Sequence, residues 1–136
     1  MSNENPGRKL FTPEEATKFF GLDLIKYEDC CLWITSQLHP LGVFCPECSI
    51  QIIDERQTKF YKFEQIRCPD CKKKFTAATG TLLNGAKLEP REIYLLSVLS
   101  HLGVTATRIA GVLRCHVDTV HNWQAHFQAY QEIAGA

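Results

Sequence analysis

The chain has 136 residues, of which 45% are hydrophobic and 22% charged, a composition ordinary for a globular protein. Fifteen Lys and Arg side chains balance fifteen Asp and Glu, and the longest apolar runs fall well short of the roughly 20 residues that cross a bilayer. The polar stretch Met1–Lys9 lacks the apolar core of a signal peptide, so we expect no membrane span and no export, and residues 1–9 are expected to be disordered.

The first predicted helix begins in the run Thr12-Pro13-Glu14-Glu15. Thr12 suits the N-cap, Pro13 the first helical position and Glu15 the far end of a capping box. Phe11 lies at the outer position of a hydrophobic staple. Gly21 can end this helix.

A second helix is predicted from Ile25 to Leu38, and His39-Pro40 stops it. Its apolar residues repeat at helical spacing and are expected to form a core stripe: Cys30, Cys31, Ile34 and Leu38.

Four cysteines in two short repeats dominate the middle of the chain. Cys45-Pro46-Glu47-Cys48 and Cys68-Pro69-Asp70-Cys71 give the spacing C-x2-C-x19-C-x2-C. This spacing is typical of a tetrahedral zinc site built from two facing turns. We therefore expect one structural Zn²⁺ held by Cys45, Cys48, Cys68 and Cys71, with no open position for catalysis. Iron in a rubredoxin-like site, and hence electron transfer, is the alternative for the same four thiolates.

The segment around these cysteines is predicted to be a zinc ribbon of short antiparallel strands. Ile50–Ile53 and Phe60–Ile66 are rich in β-branched and aromatic residues and are joined by the polar stretch Asp54–Lys59. A third strand is predicted at Phe75–Ala77.

The charges are unevenly distributed along the chain. Residues 56–91 carry nine Lys and Arg against three Asp and Glu, whereas residues 1–55 carry four against nine. A basic block beside a metal site favours an anionic partner, most plausibly nucleic acid; solvated surface lysine is the alternative. The residues expected to grip the phosphate backbone are Arg67, Lys72, Lys73 and Lys74.

The last segment is predicted to contain three helices. Pro90 opens the first, which ends at Gly103, and Thr105 caps a short second helix over Ala106–Leu113. After a turn at residues 114–116, the third helix is predicted from Val117 to about Ile133.

The short helix, three-residue turn and longer helix together are typical of a helix-turn-helix, whose second helix enters the major groove of DNA. Val120, Trp123 and Phe127 are predicted to face inward, while Gln124 and Ala125 extend the outward face. The residues proposed to contact DNA are Val117, Asp118, His121 and Asn122, together with Arg114 and His116 from the turn.

Residues 105–133 hold only Arg108 and Arg114 as fixed positive charges. Because phosphate neutralisation supplies most non-specific affinity, we expect the ribbon, a second subunit or a protein partner to contribute to DNA binding.

The order of these motifs resembles the N-terminal DNA-binding region of bacterial insertion-sequence transposases, which carry a transposase-type zinc ribbon. The resemblance covers roughly residues 11–127. It rests on LGVFCPEC at residues 41–48, IRCPDCKKKFT at residues 66–76, TGTLL at residues 79–83 followed by Ala86-Lys87-Leu88, and the later Ile109-Ala110 with Thr119-Val120-His121-Asn122-Trp123.

The sequence departs from the family pattern at two places. Ser49 replaces the glycine usual after the first pair of cysteines, and the turn Arg114-Cys115-His116 lacks the usual glycine and serine. The chain also ends where the catalytic domain of the family would begin, so we expect no strand-transfer activity and no small-molecule substrate.

The sequence thus predicts an α+β protein, mostly α, with a small antiparallel four-cysteine zinc ribbon (residues 41–80) between an N-terminal helical segment (1–40) and a helix-turn-helix (81–136). The resemblance implies a cytoplasmic, non-catalytic, zinc-dependent protein of a bacterial or phage-infected cell that binds double-stranded DNA, as a transcriptional regulator or transposition accessory factor. The alternative is an adaptor that docks on RNA polymerase or another protein.

Overall fold

The computed structural model of the chain is mostly helical with one small sheet. It describes residues 10–81 and 83–135, the last three by their backbone alone; residues 1–9, which we expect to be disordered, Leu82 and Ala136 lie outside the described residues. The elements are α1 (Pro13–Phe20), α2 (Tyr27–Leu38), α3 (Arg56–Phe60), β1 (Ile66–Arg67), β2 (Lys74–Phe75), α4 (Pro90–His101), α5 (Ala106–Leu113) and α6 (Val117–Gly135). The prediction of a mostly helical chain with a small antiparallel sheet is therefore confirmed.

Helix α1 begins and ends at the predicted residues. The side chain of Thr12 accepts a hydrogen bond from the Glu15 amide at 3.2 Å, and Gly21, with φ of 64°, donates its amide to the carbonyl of Thr17. The expected hydrophobic staple does not form, because Phe11 has a φ of 59° and its side chain is fully exposed.

Helix α2 starts two residues later than predicted and ends at Leu38 as predicted. Cys30, Cys31 and Ile34 are buried, so most of the predicted core stripe is confirmed. Beyond the helix, a ring nitrogen of His39 lies 2.8 Å from the carbonyl oxygen of Ala77.

The predicted strands of the middle segment are mostly wrong. Ile50–Ile53 contributes a single isolated bridge, Phe44 to Gln51, and most of Phe60–Ile66 lies outside any strand. Helix α3 occupies the stretch predicted to be a polar connection. The physical reason is local: the carboxylate of Asp54 accepts from the Arg56 amide at 2.9 Å, which organises the first turn of a helix over polar helix-forming residues.

The remaining sheet is a two-residue ladder. In β1 and β2, Ile66 lies opposite Phe75 and Arg67 lies opposite Lys74, in antiparallel register. Ile66 and Phe75 face the core, whereas the other pair is exposed. The buried cluster around them contains Val43, Cys45, Ile52, Phe60, Ile66, Cys68, Phe75 and Ala77.

Helices α4, α5 and α6 agree closely with the predicted bounds. Thr105 caps α5 by accepting from the Arg108 amide at 3.3 Å, and Arg114 ends it with a φ of 57°. Ile109 of α5 and Val120 of α6 are fully buried where the two helices pack.

The chain divides into two compact units. One contains the described residues up to Leu24 and from Leu95 onward, including α1, α5 and α6; the other spans Ile25–Tyr94 and includes the four clustered cysteines. The division of the sequence into segments 1–40, 41–80 and 81–136 stays a prediction.

Candidate metal centre

The two cysteine pairs lie on turns with the same backbone geometry, which we call the knuckles, residues 45–50 and 68–73. The Ser49 amide donates to the carbonyl of Cys45 at 2.9 Å, and the Lys72 amide donates to that of Cys68 at 3.1 Å. Ser49 and Lys72 have φ of 67° and 70°, in the left-handed region. Each of these backbone turns returns its second cysteine toward the first.

Backbone amides point at all four sulfur atoms. The Sγ of Cys45 and of Cys68 each accepts from the amides two and three residues later, at 3.4 and 3.5 Å in both knuckles. The Sγ atoms of Cys48 and Cys71 accept from amides two residues later as well. Such donors stabilise negative charge on sulfur, so the knuckles are built for thiolates.

The four Sγ atoms form a compact group, all within 4.8 Å of one another. The distance is 3.5 Å from Cys45 to Cys71 and 3.6 Å from Cys48 to Cys68. A tetrahedron with metal–sulfur bonds of about 2.3 Å has edges of about 3.8 Å. The distances are far longer than a disulfide bond of about 2.05 Å. The donor set therefore fits one tetrahedral metal ion.

The hydrogen bonds divide the thiols into two kinds. Burial acts to raise the pKa of Cys45, but the amides of Cys48 and Glu47 and the neighbouring thiols lower it to about 6. Burial acts in the same direction on Cys68, but its two amide donors outweigh this effect and the pKa of Cys68 is also lowered.

The second cysteine of each knuckle behaves in the opposite way. The Ile50 amide acts to lower the pKa of Cys48, yet burial and the hydrogen bond to the Cys68 thiol help raise it to about 12. The pKa of Cys71 is raised against the lowering effect of the Lys73 amide. Near neutral pH Cys45 is a thiolate while Cys48 and Cys71 stay protonated, and a divalent cation would displace the remaining protons.

Exposure differs around the group. Cys45 and Cys68 are buried in the core of their unit, Cys48 is half-buried and Cys71 is exposed. Four protein sulfurs complete a tetrahedral shell, so a bound ion would keep no position for water or substrate. The chemistry available at this site is therefore structural.

The basic residues predicted to grip phosphate lie directly beside the metal centre. Arg67, Lys72, Lys73 and Lys74 are all exposed. Lys72 donates its ammonium to the carbonyl of Pro69 at 3.0 Å. Arg67 and Lys74, opposite each other in the ladder, form no ion pair with any described carboxylate.

The side chains predicted to contact DNA, on α6 and on the turn before it, differ in how exposed they are. Asp118, His121 and Asn122 are exposed, as are Arg114 and His116 of the turn, and Val117 is half-buried. The prediction that Gln124 lies on the outward face of α6 is wrong. Its side-chain amide donates to the hydroxyl of Ser100 at 2.9 Å, and the residue is half-buried.

One long-range ion pair is not predictable from the sequence pattern. The Arg108 guanidinium of α5 donates to the carboxylate of Glu14 in α1 at 2.9 Å. These residues are 94 positions apart, so no local pattern connects them. One of the two fixed cations in residues 105–133 therefore has a partner within the chain.

No family model, no curated protein and no solved structure matches this chain. Within the described ranges, no helix combines the length and the hydrophobicity that crossing a membrane requires.

Proposed function

We propose that the protein is a zinc-stabilised, non-catalytic DNA-binding protein. The ion proposed is Zn²⁺, because four thiolates at tetrahedral spacing are its preferred structural donor set. Iron could occupy the same four sulfurs; an iron-loaded protein would be coloured, whereas zinc is colourless. The metal's role is to hold the two knuckles together and so fix the position of the ladder, whose strands lead into and out of the second knuckle.

The observation that carries the proposal of an anionic partner is the pairing of Arg67 with Lys74. Like charges directly opposite each other across two strands are destabilising, and here both side chains are exposed without a described counter-ion. Lys73 is adjacent, and the knuckle that carries Cys68 and Cys71 joins the two strands of the ladder. A phosphate bound between the two strands would remove the repulsion.

The geometry of helices α5 and α6 favours duplex DNA as the anionic partner. They pack closely and are joined by three residues, as in a helix-turn-helix. The exposed residues at the start of α6 include Asn122, which can bind adenine through two hydrogen bonds, and Asp118, which can accept from cytosine. With the resemblance to transposase DNA-binding regions, this supports a regulator or accessory factor derived from a mobile genetic element.

The salt dependence of binding to duplex DNA tests the proposal. In the triple variant Arg67→Gln, Lys73→Gln, Lys74→Gln, we expect weaker binding and a log–log salt slope reduced by about 0.9 for each phosphate that is no longer neutralised. The matched control, Lys18→Gln, Lys26→Gln, Lys87→Gln, changes net charge equally at exposed sites and should keep most of the slope.

A protein that retards no duplex at low salt would contradict DNA binding. The adaptor would then be favoured, and the Arg108–Glu14 ion pair, which leaves the α5–α6 surface with little free positive charge, already agrees with that alternative. Equal loss of slope in both triple variants would mean that overall charge, rather than the ladder, determines binding.

A second pair of variants tests base recognition by α6. We expect Asn122→Ala to reduce discrimination for a selected site by about 1–3 kcal/mol while leaving non-specific binding nearly unchanged. Gln128→Ala, also exposed but further along α6, should change neither quantity. An unchanged site preference in Asn122→Ala would remove this residue from the interface.

A further inference from the structure

Helix α1 has its polar and apolar faces arranged in the opposite sense to an ordinary packed helix. Pro13, Ala16 and Phe20 recur at i, i+3 and i+7, and Phe19 lies beside them, so one stripe of the helix is apolar. A helix on the surface of a globular protein normally turns such a stripe toward the core. In α1, Pro13, Ala16, Phe19 and Phe20 are all exposed.

The polar side of α1 faces α5 instead. The Glu14 carboxylate accepts a hydrogen bond from the Arg108 guanidinium at 2.9 Å. The Cγ of Glu14 lies 4.0 Å from the position that a Cβ on Gly111 would occupy. None of the eight residues of α1 is buried against the described part of the chain. The contact with α5 thus fixes the helix and leaves its apolar stripe facing outward.

The exposed apolar surface continues past both ends of the helix. Phe11 is 101% exposed, Phe19 83% and Phe20 46%, and Leu10 and Leu24 are exposed at 65% and 74%. At about 200 Å² for a fully exposed ring, the phenylalanines alone present roughly 450 Å². Monomeric proteins rarely expose more than a few hundred Å² of contiguous apolar surface.

We propose that this surface, residues 10–24, is the interface of a homodimer in which α1 packs against α1 of a second copy. The area favours this occupant: with the two leucines, the surface approaches the about 800 Å² that each partner buries in a standard interface. The stripe also suits self-association, because small Ala16 lies next to large Phe19 and Phe20 and no charged residue interrupts it. Two antiparallel copies can place the ring of one helix over the alanine of the other.

The dimer would also place two DNA-binding helix pairs in one particle. Because α1 packs on α5 within one unit, a two-fold axis at α1 presents two copies of the α5–α6 pair related by that axis. This consequence rests on DNA binding, but the dimer itself does not.

Sedimentation equilibrium of the metal-loaded chain over about 1–200 µM tests the interface without DNA. The expected result is a mass that rises from 15.5 kDa toward twice that value. Phe19→Glu should remain monomeric over the whole range. The control Leu41→Glu, at a residue equally 83% exposed but in the other unit, should dimerise like the parent chain.

Because Phe19 is exposed, its substitution should leave the helical circular dichroism and the metal content unchanged, and both are measured for each variant. A chain that stays monomeric over the whole concentration range overturns the proposal. The apolar stripe would then be covered by another protein or by a membrane surface instead. A dimer that Phe19→Glu leaves intact also overturns the proposal. A failure of DNA binding with a normal dimer would contradict the proposed function alone.

Discussion

Ser49 and Lys72 occupy the same position in the two knuckles, and both have positive φ. The left-handed region costs an L-residue about 1–2 kcal/mol, which explains why glycine is common after such a cysteine pair. The conformation is retained here because it lets the following amide reach the second cysteine. This local strain is offset by the metal-binding geometry that it creates.

Ser49→Gly should therefore stabilise the metal-loaded protein by about 0.5–1 kcal/mol, since glycine removes the steric cost but adds chain entropy to the unfolded state. Ser49→Ala keeps the Cβ and should bring no gain. Denaturant unfolding of the metal-loaded variants measures both values. A destabilised glycine variant, or an equal gain in the alanine variant, would show that the positive φ costs nothing.

The opposite pKa shifts within each knuckle determine how metal affinity depends on pH. The raised pKa values keep Cys48 and Cys71 protonated at neutral pH, so metal binding must displace at least these two protons. Affinity should rise with pH by about two or more log units per pH unit near pH 7. As pH falls below the pKa of Cys45, about 6, a further proton competes and the slope should steepen.

Competition with a zinc chelator of known pH dependence measures this slope. A slope below about one near pH 7 would contradict the assignment of Cys48 and Cys71 as the protonated members of the group.

At the scale of elements, helix α1 packs beside Gly111 of α5, but their separation leaves room for a larger side chain at this position. A Cβ at this position would meet the Cγ of Glu14 at 4.0 Å, an ordinary van der Waals distance. Gly111 lies inside α5, where glycine costs about 0.5–1 kcal/mol relative to alanine.

Gly111→Ala should therefore raise the free energy of unfolding by about 0.5–1 kcal/mol. Gly103→Ala is the control: Gly103 has a φ of 82° and open space around it, so alanine there should destabilise through the backbone alone. A destabilised Gly111→Ala would mean that α1 lies closer to α5 than the 4.0 Å separation indicates.

How far the sequence predicts these elements depends on how local their signals are. Thr12, Thr105 and Pro90 start helices through contacts within one turn, and those helices were predicted within a residue or two. The ribbon strands were not, because the interaction of Asp54 with Arg56 nucleates α3 where β-rich sequence surrounds it. The Glu14–Arg108 pair depends on tertiary packing and had no signal at all.

At the scale of the whole molecule, the candidate site was the most predictable feature. The spacing of the cysteines alone predicted which four sulfurs cluster, since two short turns leave few other arrangements. Exposure of the apolar stripe on α1 was not predictable, because the sequence pattern of a core-facing helix is the same as that of a helix at an interface between subunits.

One of the two compact units is organised around the candidate metal centre. Cys45 and Cys68 lie in the core of the unit spanning Ile25–Tyr94, whose sheet is only a two-residue ladder. A structural zinc ion contributes on the order of 10–16 kcal/mol in small domains, which is comparable to the entire stability of a typical domain. Removing the ion should therefore unfold this unit and, with it, the exposed ladder.

Zinc-edge X-ray absorption of the purified protein, together with its metal content, tests this claim most directly. The expected result is one zinc ion per chain with four sulfur ligands at about 2.3 Å. Cys68→Ser should lose the ion, while Cys115→Ser, outside the group, should retain it. A folded chain without metal, or with these sulfurs bonded to one another at about 2.05 Å, would contradict the account.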